Sequence, residues 1–129
     1  MLTRRLALAA AIAAVSGRLV QAATETPIDQ ATFTAAQKAG KLILVDIWAS
    51  WCPTCAQQQP IIDQLAADPA FKDLVILKVD FDSQKDIVRA LGARSQSTLI
   101  VFTGAKEQGR SVGDTDAASI RALIARSKS

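Results

Sequence analysis

An α/β sandwich with a mixed central sheet and helices on both faces is the fold class this sequence predicts. Three observations carry it. Two short runs, Leu42–Trp48 (LILVDIW) and Val75–Val79 (VILKV), are almost continuously apolar and rich in β-branched residues, as strands buried on both faces are. Helical apolar stripes lie between the strand runs, so helix crossovers join the first strands. Two further runs, Thr98–Phe102 and Glu107–Val112, flank a short turn at Gly104 and read as an antiparallel hairpin.

Taken in order, the chain begins with a positive stretch, Met1–Arg5, then ten uncharged apolar residues, Leu6–Val15. Val20-Gln21-Ala22 follows, with small or aliphatic groups where a signal peptidase reads. This order is that of a secretory signal over residues 1–22, and cleavage after Ala22 is expected. The apolar run is too short to span a bilayer, which takes about 20 residues. Thr3-Arg4-Arg5-Leu6 also fits a twin-arginine signal, and an amphipathic or buried N-terminal helix is the alternative. Residues 23–129 then form one domain outside the cytoplasm. Ala23–Pro27 reads as a loose leader. Asp29–Ala39 is a short helix with Ala31, Phe33 and Ala36 as apolar contacts, ended by Gly40. Pro53–Ala67 is helical, with a stripe of Ile61, Ile62, Leu65 and Ala66. Gln84–Leu91 is a helix stopped at Gly92. Asp114 or Thr115 caps a last helix whose Ile120, Leu123 and Ile124 face inward. The expected order is α-β-α-β-α-β-β-α.

Composition narrows the chemistry. At 129 residues, with 50% hydrophobic and 21% charged side chains, the chain builds one core and is not a disordered segment. The formal charge of +3 is carried by Arg4, Arg5 and Arg18, and beyond residue 22 acids and bases balance. No basic groove for nucleic acid is implied. Histidine is absent, which excludes Ser–His and Cys–His nucleophile pairs and Cys₂His₂ zinc sites. The two cysteines do not suffice for a four-cysteine zinc site.

The remaining chemistry converges on Cys52-Pro53-Thr54-Cys55, where the strand Leu42–Trp48 gives way to a helix. Thiols at i and i+3 on a helix stand close enough for a disulfide after small adjustment. Pro53 fits the first helical position, which makes Cys52 the N-cap. Its sulfur then faces the N–H groups of Thr54 and Cys55 and the positive end of the helix dipole, and both lower a thiol pKa. Cys55, one turn inside, is expected to be the more buried thiol. Cys52 is therefore the attacking nucleophile and Cys55 the resolving thiol. Three other readings compete. A structural disulfide of this spacing closes a tiny loop and constrains little. A metal pair leaves half a coordination shell empty. Unpaired core thiols do not suit an oxidising compartment.

The stretch Val45-Asp46-Ile47-Trp48-Ala49-Ser50-Trp51-Cys52-Pro53-Thr54-Cys55 resembles the active-site segment of the thioredoxin family. The match continues through Pro60, Ile61-Ile62-Asp63-Gln64-Leu65-Ala66, Lys78-Val79-Asp80, Gly92-Ala93-Arg94, Thr98-Leu99-Ile100-Val101-Phe102 and Gly113, over roughly residues 29–127. Asp68-Pro69-Ala70-Phe71 also resembles thiol-reducing domains of the bacterial cell envelope. The resemblance implies a thioredoxin fold and a redox-active Cys52/Cys55 pair. It implies that Asp46 helps deprotonate Cys55, with Lys78 beside it, and that Trp51 lies on the rim next to Cys52. Pro53, Thr54, Ser97 and Thr98 are then expected to face the substrate. From the residues alone, burial raises the pKa of Asp46, unless the carboxylate reaches solvent at a strand end. Lys78 has a surface alternative, with its ammonium snorkelling to water. Trp48 is expected in the core.

One position departs from the family. Where thioredoxins carry a cis-proline facing the cysteines, this chain has Gln96-Ser97-Thr98. A cis bond before a non-proline residue costs about 2.5–4 kcal/mol, so Gln96–Ser97 is expected to be trans. In the family that loop hydrogen-bonds the substrate backbone and shields the thiols from metal. Ser97 instead offers a hydroxyl that stabilises a Cys52 thiolate, or it is a plain loop serine.

The expectation is an exported thiol–disulfide oxidoreductase that reduces protein disulfides in the cell envelope or periplasm. No organic cofactor is implied. A reductant in an oxidising compartment needs recharging, so a membrane thiol-electron transporter is the expected partner. Disulfide-containing envelope proteins, apocytochromes among them, are the expected substrates. Two alternatives stand beside this reading. One is a disulfide oxidase or isomerase. The other is a metal-binding C-x-x-C module with Cys52 and Cys55 as ligands.

Overall fold

The computed structural model describes residues 23–129, and the expected signal segment with its cleavage site lies outside the described residues. The elements are β1 (Thr24–Pro27), α1 (Gln30–Lys38), β2 (Leu42–Trp48), α2 (Pro53–Ala67), β3 (Leu74–Asp80), α3 (Lys85–Ala90), β4 (Thr98–Thr103), β5 (Lys106–Val112) and α4 (Ala117–Ala125). Short 3₁₀ turns follow α2 and α4. The strands form one sheet in the order β1-β3-β2-β4-β5. β1, β3 and β2 run parallel, and β4 and β5 are antiparallel additions. The mixed α/β sandwich is the fold the sequence predicts.

Two expectations need correcting. Residues 24–27 are not a loose leader but an edge strand, paired in register with Val75–Lys78. Thr24-Glu25-Thr26-Pro27 contains no apolar side chain, so nothing in its pattern marks a strand; main-chain pairing makes it one. Pro27, with no N–H to give, stands where the strand ends. The order is therefore β-α-β-α-β-α-β-β-α. The cap of α4 is Asp116, which accepts the Ser119 N–H at 2.8 Å. Asp114 is drawn away to the Asp116 N–H at 2.9 Å and the Ser119 hydroxyl at 2.6 Å.

Period-two alternation sorts the sheet into two cores. Ile43, Val45 and Ile47 of β2 pack with Leu77, Val79 and Ile100 against Phe33 of α1 and Val88 of α3. Leu44, Ile76, Leu99 and Val101 pack on the opposite face against Ile62 and Leu65 of α2 and Ile120, Leu123 and Ile124 of α4. Asp46 continues the row of Leu44, and Lys78 the row of Ile76. Both charged residues therefore lie on the α2 face of the sheet, and the register pairs them directly. The interruptions in LILVDIW and VILKV are a juxtaposition beneath the helix that bears the cysteines.

Candidate active site

The cysteine pair forms where β2 ends and α2 begins. Cys52 has extended backbone and caps α2, and Pro53 takes the first turn, where a missing N–H costs nothing. The Cys52 sulfur accepts the N–H of Cys55 at 3.1 Å. The Thr54 N–H, also expected to face this sulfur, makes no such bond. Cys52 and Cys55 are joined as a disulfide with Cα atoms 5.3 Å apart, inside the ordinary range for such a bond. They are the only cysteines in the chain.

The expected difference in burial does not appear. Cys52 is 4% exposed and Cys55 8%, so both sulfurs are enclosed and Cys52 is not the more open one. The closed disulfide draws both sulfurs together under the Ser97 loop, in a small cluster with Ala49, Trp48 and Phe81. What distinguishes the two thiols is the helix N-terminus, where Cys52 alone occupies the cap.

Ser97 faces both sulfurs. Its hydroxyl lies 3.1 Å from Cys52 Sγ and 3.2 Å from Cys55 Sγ. The Gln96–Ser97 bond is trans, as expected, and Ser97 takes a left-handed backbone with φ of +61°. The residue's own main chain is engaged internally. Its N–H donates to Ile47 O at 2.8 Å, and its carbonyl accepts from the Gly113 N–H at 2.9 Å and Gln58 Nε2 at 3.3 Å. Gly113, at φ +71°, makes the left-handed turn that brings its N–H there. Thr98 is buried and donates its hydroxyl to Ser95 O at 2.7 Å, which ties the loop from behind.

Asp46 is 2% exposed. Burial pushes its pKa up to about 6; the Lys78 ammonium opposes this, and the carboxylates of Glu25 and Asp63 add to it. Lys78 is only part-buried and does not simply snorkel to water. Its ammonium donates to Gln59 Oε1 at 2.8 Å, pairs with Glu25 at 3.4 Å, and lies 4.8 Å from the centre of the Trp48 ring. Gln59 in turn donates to Asp63 at 2.7 Å and to Glu25 at 3.2 Å. A cavity of about 270 Å³ runs beside this network and is lined by Lys78, Gln59, Trp48, Cys52 and Cys55 among others.

The rim is aromatic. Trp51 is 57% exposed, and its indole N–H donates to Asp82 at 2.7 Å, which pins the ring. Trp48, expected in the core, is half-buried and lines the cavity, because it is the last residue of β2 and lies at the sheet's end. Pro53 is exposed and Thr54 half-exposed, flanking the disulfide.

Three residues of this neighbourhood escaped the sequence reading. Gln58 is 1% exposed and clamps the carbonyls of Ser97 and, at 2.8 Å, Asp114. Its signal was spacing: Cys55, Gln58, Ile62 and Leu65 fall on one face of α2. Gln59 and Glu25 gave no comparable signal, since Glu25 belongs to the unrecognised strand. Among the described residues no group of three or more Cys, Asp or Glu side chains is arranged to hold a metal ion.

Comparison with known proteins agrees with this geometry. The thioredoxin family model matches residues 24–126. The thioredoxin of Chlamydia muridarum is 39% identical over 88 residues, 68% of this chain and 84% of that protein. The crystal structure of Trxlp from Edwardsiella tarda superposes with a TM-score of 0.76 at 38% identity, covering 78% of this chain and 98% of that one. Malassezia sympodialis thioredoxin gives a TM-score of 0.75 at 25% identity, over 88% of this chain and 99% of the other. The chain belongs to the thioredoxin family and is a thiol–disulfide oxidoreductase whose redox pair is Cys52 and Cys55.

Proposed function

We propose that this thioredoxin works outside the cytoplasm as a reductase of protein disulfides, exported by its first 22 residues. The observation that carries the mechanism is the Cys52 sulfur at the N-terminus of α2, accepting the Cys55 N–H at 3.1 Å. The amide and the helix dipole stabilise a Cys52 thiolate. That thiolate attacks one sulfur of a substrate disulfide; the substrate S–S bond breaks, and its second sulfur leaves with the electron pair. The Cys55 thiol gives its proton toward Asp46, which at neutral pH is largely ionised with a pKa near 6. The Cys55 thiolate then attacks Cys52, closing the disulfide and releasing the second substrate thiolate. Trp51, Pro53 and Thr54 form the rim against which the substrate lies, and the loop at Gln96 and Ser97 stands beside the sulfurs, whereas Thr98, expected to face the substrate, is buried behind it.

Return to the dithiol needs two electrons from outside. In an envelope that is kept oxidised, a membrane protein relaying electrons from the cytoplasm supplies them. Oxidised envelope proteins, including apocytochromes with paired cysteines, fit as substrates.

The direction is tested by the reduction potential of the Cys52–Cys55 pair, equilibrated against glutathione or dithiothreitol. A reductase is expected near the thioredoxin value, about −270 mV, and a strong oxidase near −120 mV. A result more positive than about −180 mV turns the reading to oxidase or isomerase. Location is tested by fractionating cells that express the full chain. A mature protein starting at Ala23 in the envelope fraction supports export; full-length protein in the cytoplasm removes it.

A further inference from the structure

Ser97 combines an unfavourable backbone with a tightly held side chain. At φ +61° any residue with a Cβ is disfavoured relative to glycine. Three hydrogen bonds hold the residue there nonetheless. They come from Ile47 at the end of β2, from Gly113 before α4, and from Gln58 on α2. Gln58 is itself buried, and its second bond, to Asp114 O at 2.8 Å, ties the two loops to the cysteine helix. Glycine would meet the backbone demand without strain. What a serine adds at this place is one oxygen, buried and 3.1 and 3.2 Å from the two sulfurs.

We propose that Ser97 is a catalytic hydroxyl shared by both cysteines, donating a hydrogen bond to whichever sulfur carries the negative charge, and that Gln58 is the positioning residue that holds it there. When a reductant thiolate attacks Cys52 Sγ, the Sγ–Sγ bond breaks and its electron pair goes to Cys55 Sγ. That thiolate forms beside the hydroxyl. When a second reductant thiolate attacks the reductant's sulfur in the mixed disulfide, Cys52 Sγ leaves with the pair, again beside the hydroxyl. In the substrate direction the same oxygen faces Cys52 as attacker and Cys55 as resolver. Its proton stays on oxygen throughout. A hydroxyl bonded to an anion in a closed site is a charge-assisted bond, stronger than one to a neutral disulfide. It therefore favours the reduced, thiolate-bearing state and raises the reduction potential.

The test compares Ser97→Ala and Ser97→Gly in the full protein. Both remove the oxygen; only glycine also relieves the backbone. Each is expected to move the equilibrium with glutathione about tenfold toward the disulfide, which is about 30 mV more negative. Each is also expected to raise the Cys52 thiol pKa, read from thiolate ultraviolet absorbance against pH. Potentials within twofold of the wild-type equilibrium in both variants overturn the proposal. A shift in glycine that is absent in alanine overturns it too, since relief of the backbone would then be the cause. Should the glycine variant not fold, the alanine variant decides alone, since it removes the oxygen and leaves the backbone demand unchanged. Gln58→Met keeps the volume and loses the amide. It is expected to shift the potential in the same direction, and to add nothing once Ser97 is glycine. Lower stability with an unchanged potential makes Gln58 purely structural. The proposal takes from the reductase reading only the physiological direction. Wild-type potential tests that reading, and the variant-minus-wild-type difference tests this one.

Discussion

Replacing Asp46 with asparagine is expected to stabilise the oxidised protein by about 3 kcal/mol at pH 7 and by nothing at pH below about 3.5. The sign follows from the carboxyl's pKa, near 6 in the folded chain against 3.8 when unperturbed. Between those values the folded state holds a proton that the unfolded state has released. Rising pH therefore removes stability across that window, and above it the loss is complete. The cause is burial at 2% exposure, which the Lys78 ammonium only partly offsets. Asparagine mimics the protonated form at every pH. Urea unfolding of both proteins at pH 3.5, 5 and 7 measures the difference, and other carboxylates cancel between them. An equal difference at all three pH values would sink the assignment. The same change is expected to slow release of the mixed disulfide about a hundredfold near pH 7, the scale of a lost general base.

The cysteine variants separate the two sulfur roles. Cys52→Ser is expected to abolish turnover of a protein disulfide, because no thiolate remains at the helix cap. Cys55→Ser is expected to keep the first exchange and lose the second, leaving a mixed disulfide visible by non-reducing electrophoresis and mass spectrometry. Alkylation of the remaining thiol near pH 7 is expected to be faster in Cys55→Ser than in Cys52→Ser. The enclosure of both sulfurs in the oxidised state makes this comparison informative, since exposure alone does not favour Cys52. A trapped intermediate on Cys55 instead of Cys52 would reverse the roles.

Legibility in the sequence follows burial. The bounds of β2 and α2 are readable to the residue, because β2 is apolar on both faces and Cys-Pro marks a helix start. β1 is invisible, because an edge strand with polar side chains leaves no hydrophobic period and is defined by its main-chain pairing with β3. That omission hid Glu25, and with it half of the cage around the Lys78 ammonium. The cysteines, Asp46 and Ser97 stand out because each breaks a local rule: paired thiols, a charge inside an apolar strand, a missing proline. Gln58 breaks none on its own. A glutamine in a helix reads as surface until the face it shares with Cys55 and Ile62 is drawn. The relative exposure of the two sulfurs depends on how the 95–97 loop folds over them, which spacing along α2 does not encode.

Pro60, in the middle of α2, has a mechanical consequence. A proline there cannot donate to the carbonyl four residues earlier, that of Ala56, and its ring pushes against it. The helix continues through this turn as one element, with two segments that are anchored differently. The first, Pro53–Gln59, carries Cys55 and the Gln58 clamp; the second is bolted into the core by Ile62, Leu65 and Ala66. The missing bond lowers the resistance of the helix to bending at that turn, between the end that carries the cysteines and the end held in the core. The sulfurs that change covalent partners and the side chains of α2 that fill the core at Ile62, Leu65 and Ala66 therefore lie on opposite sides of that turn.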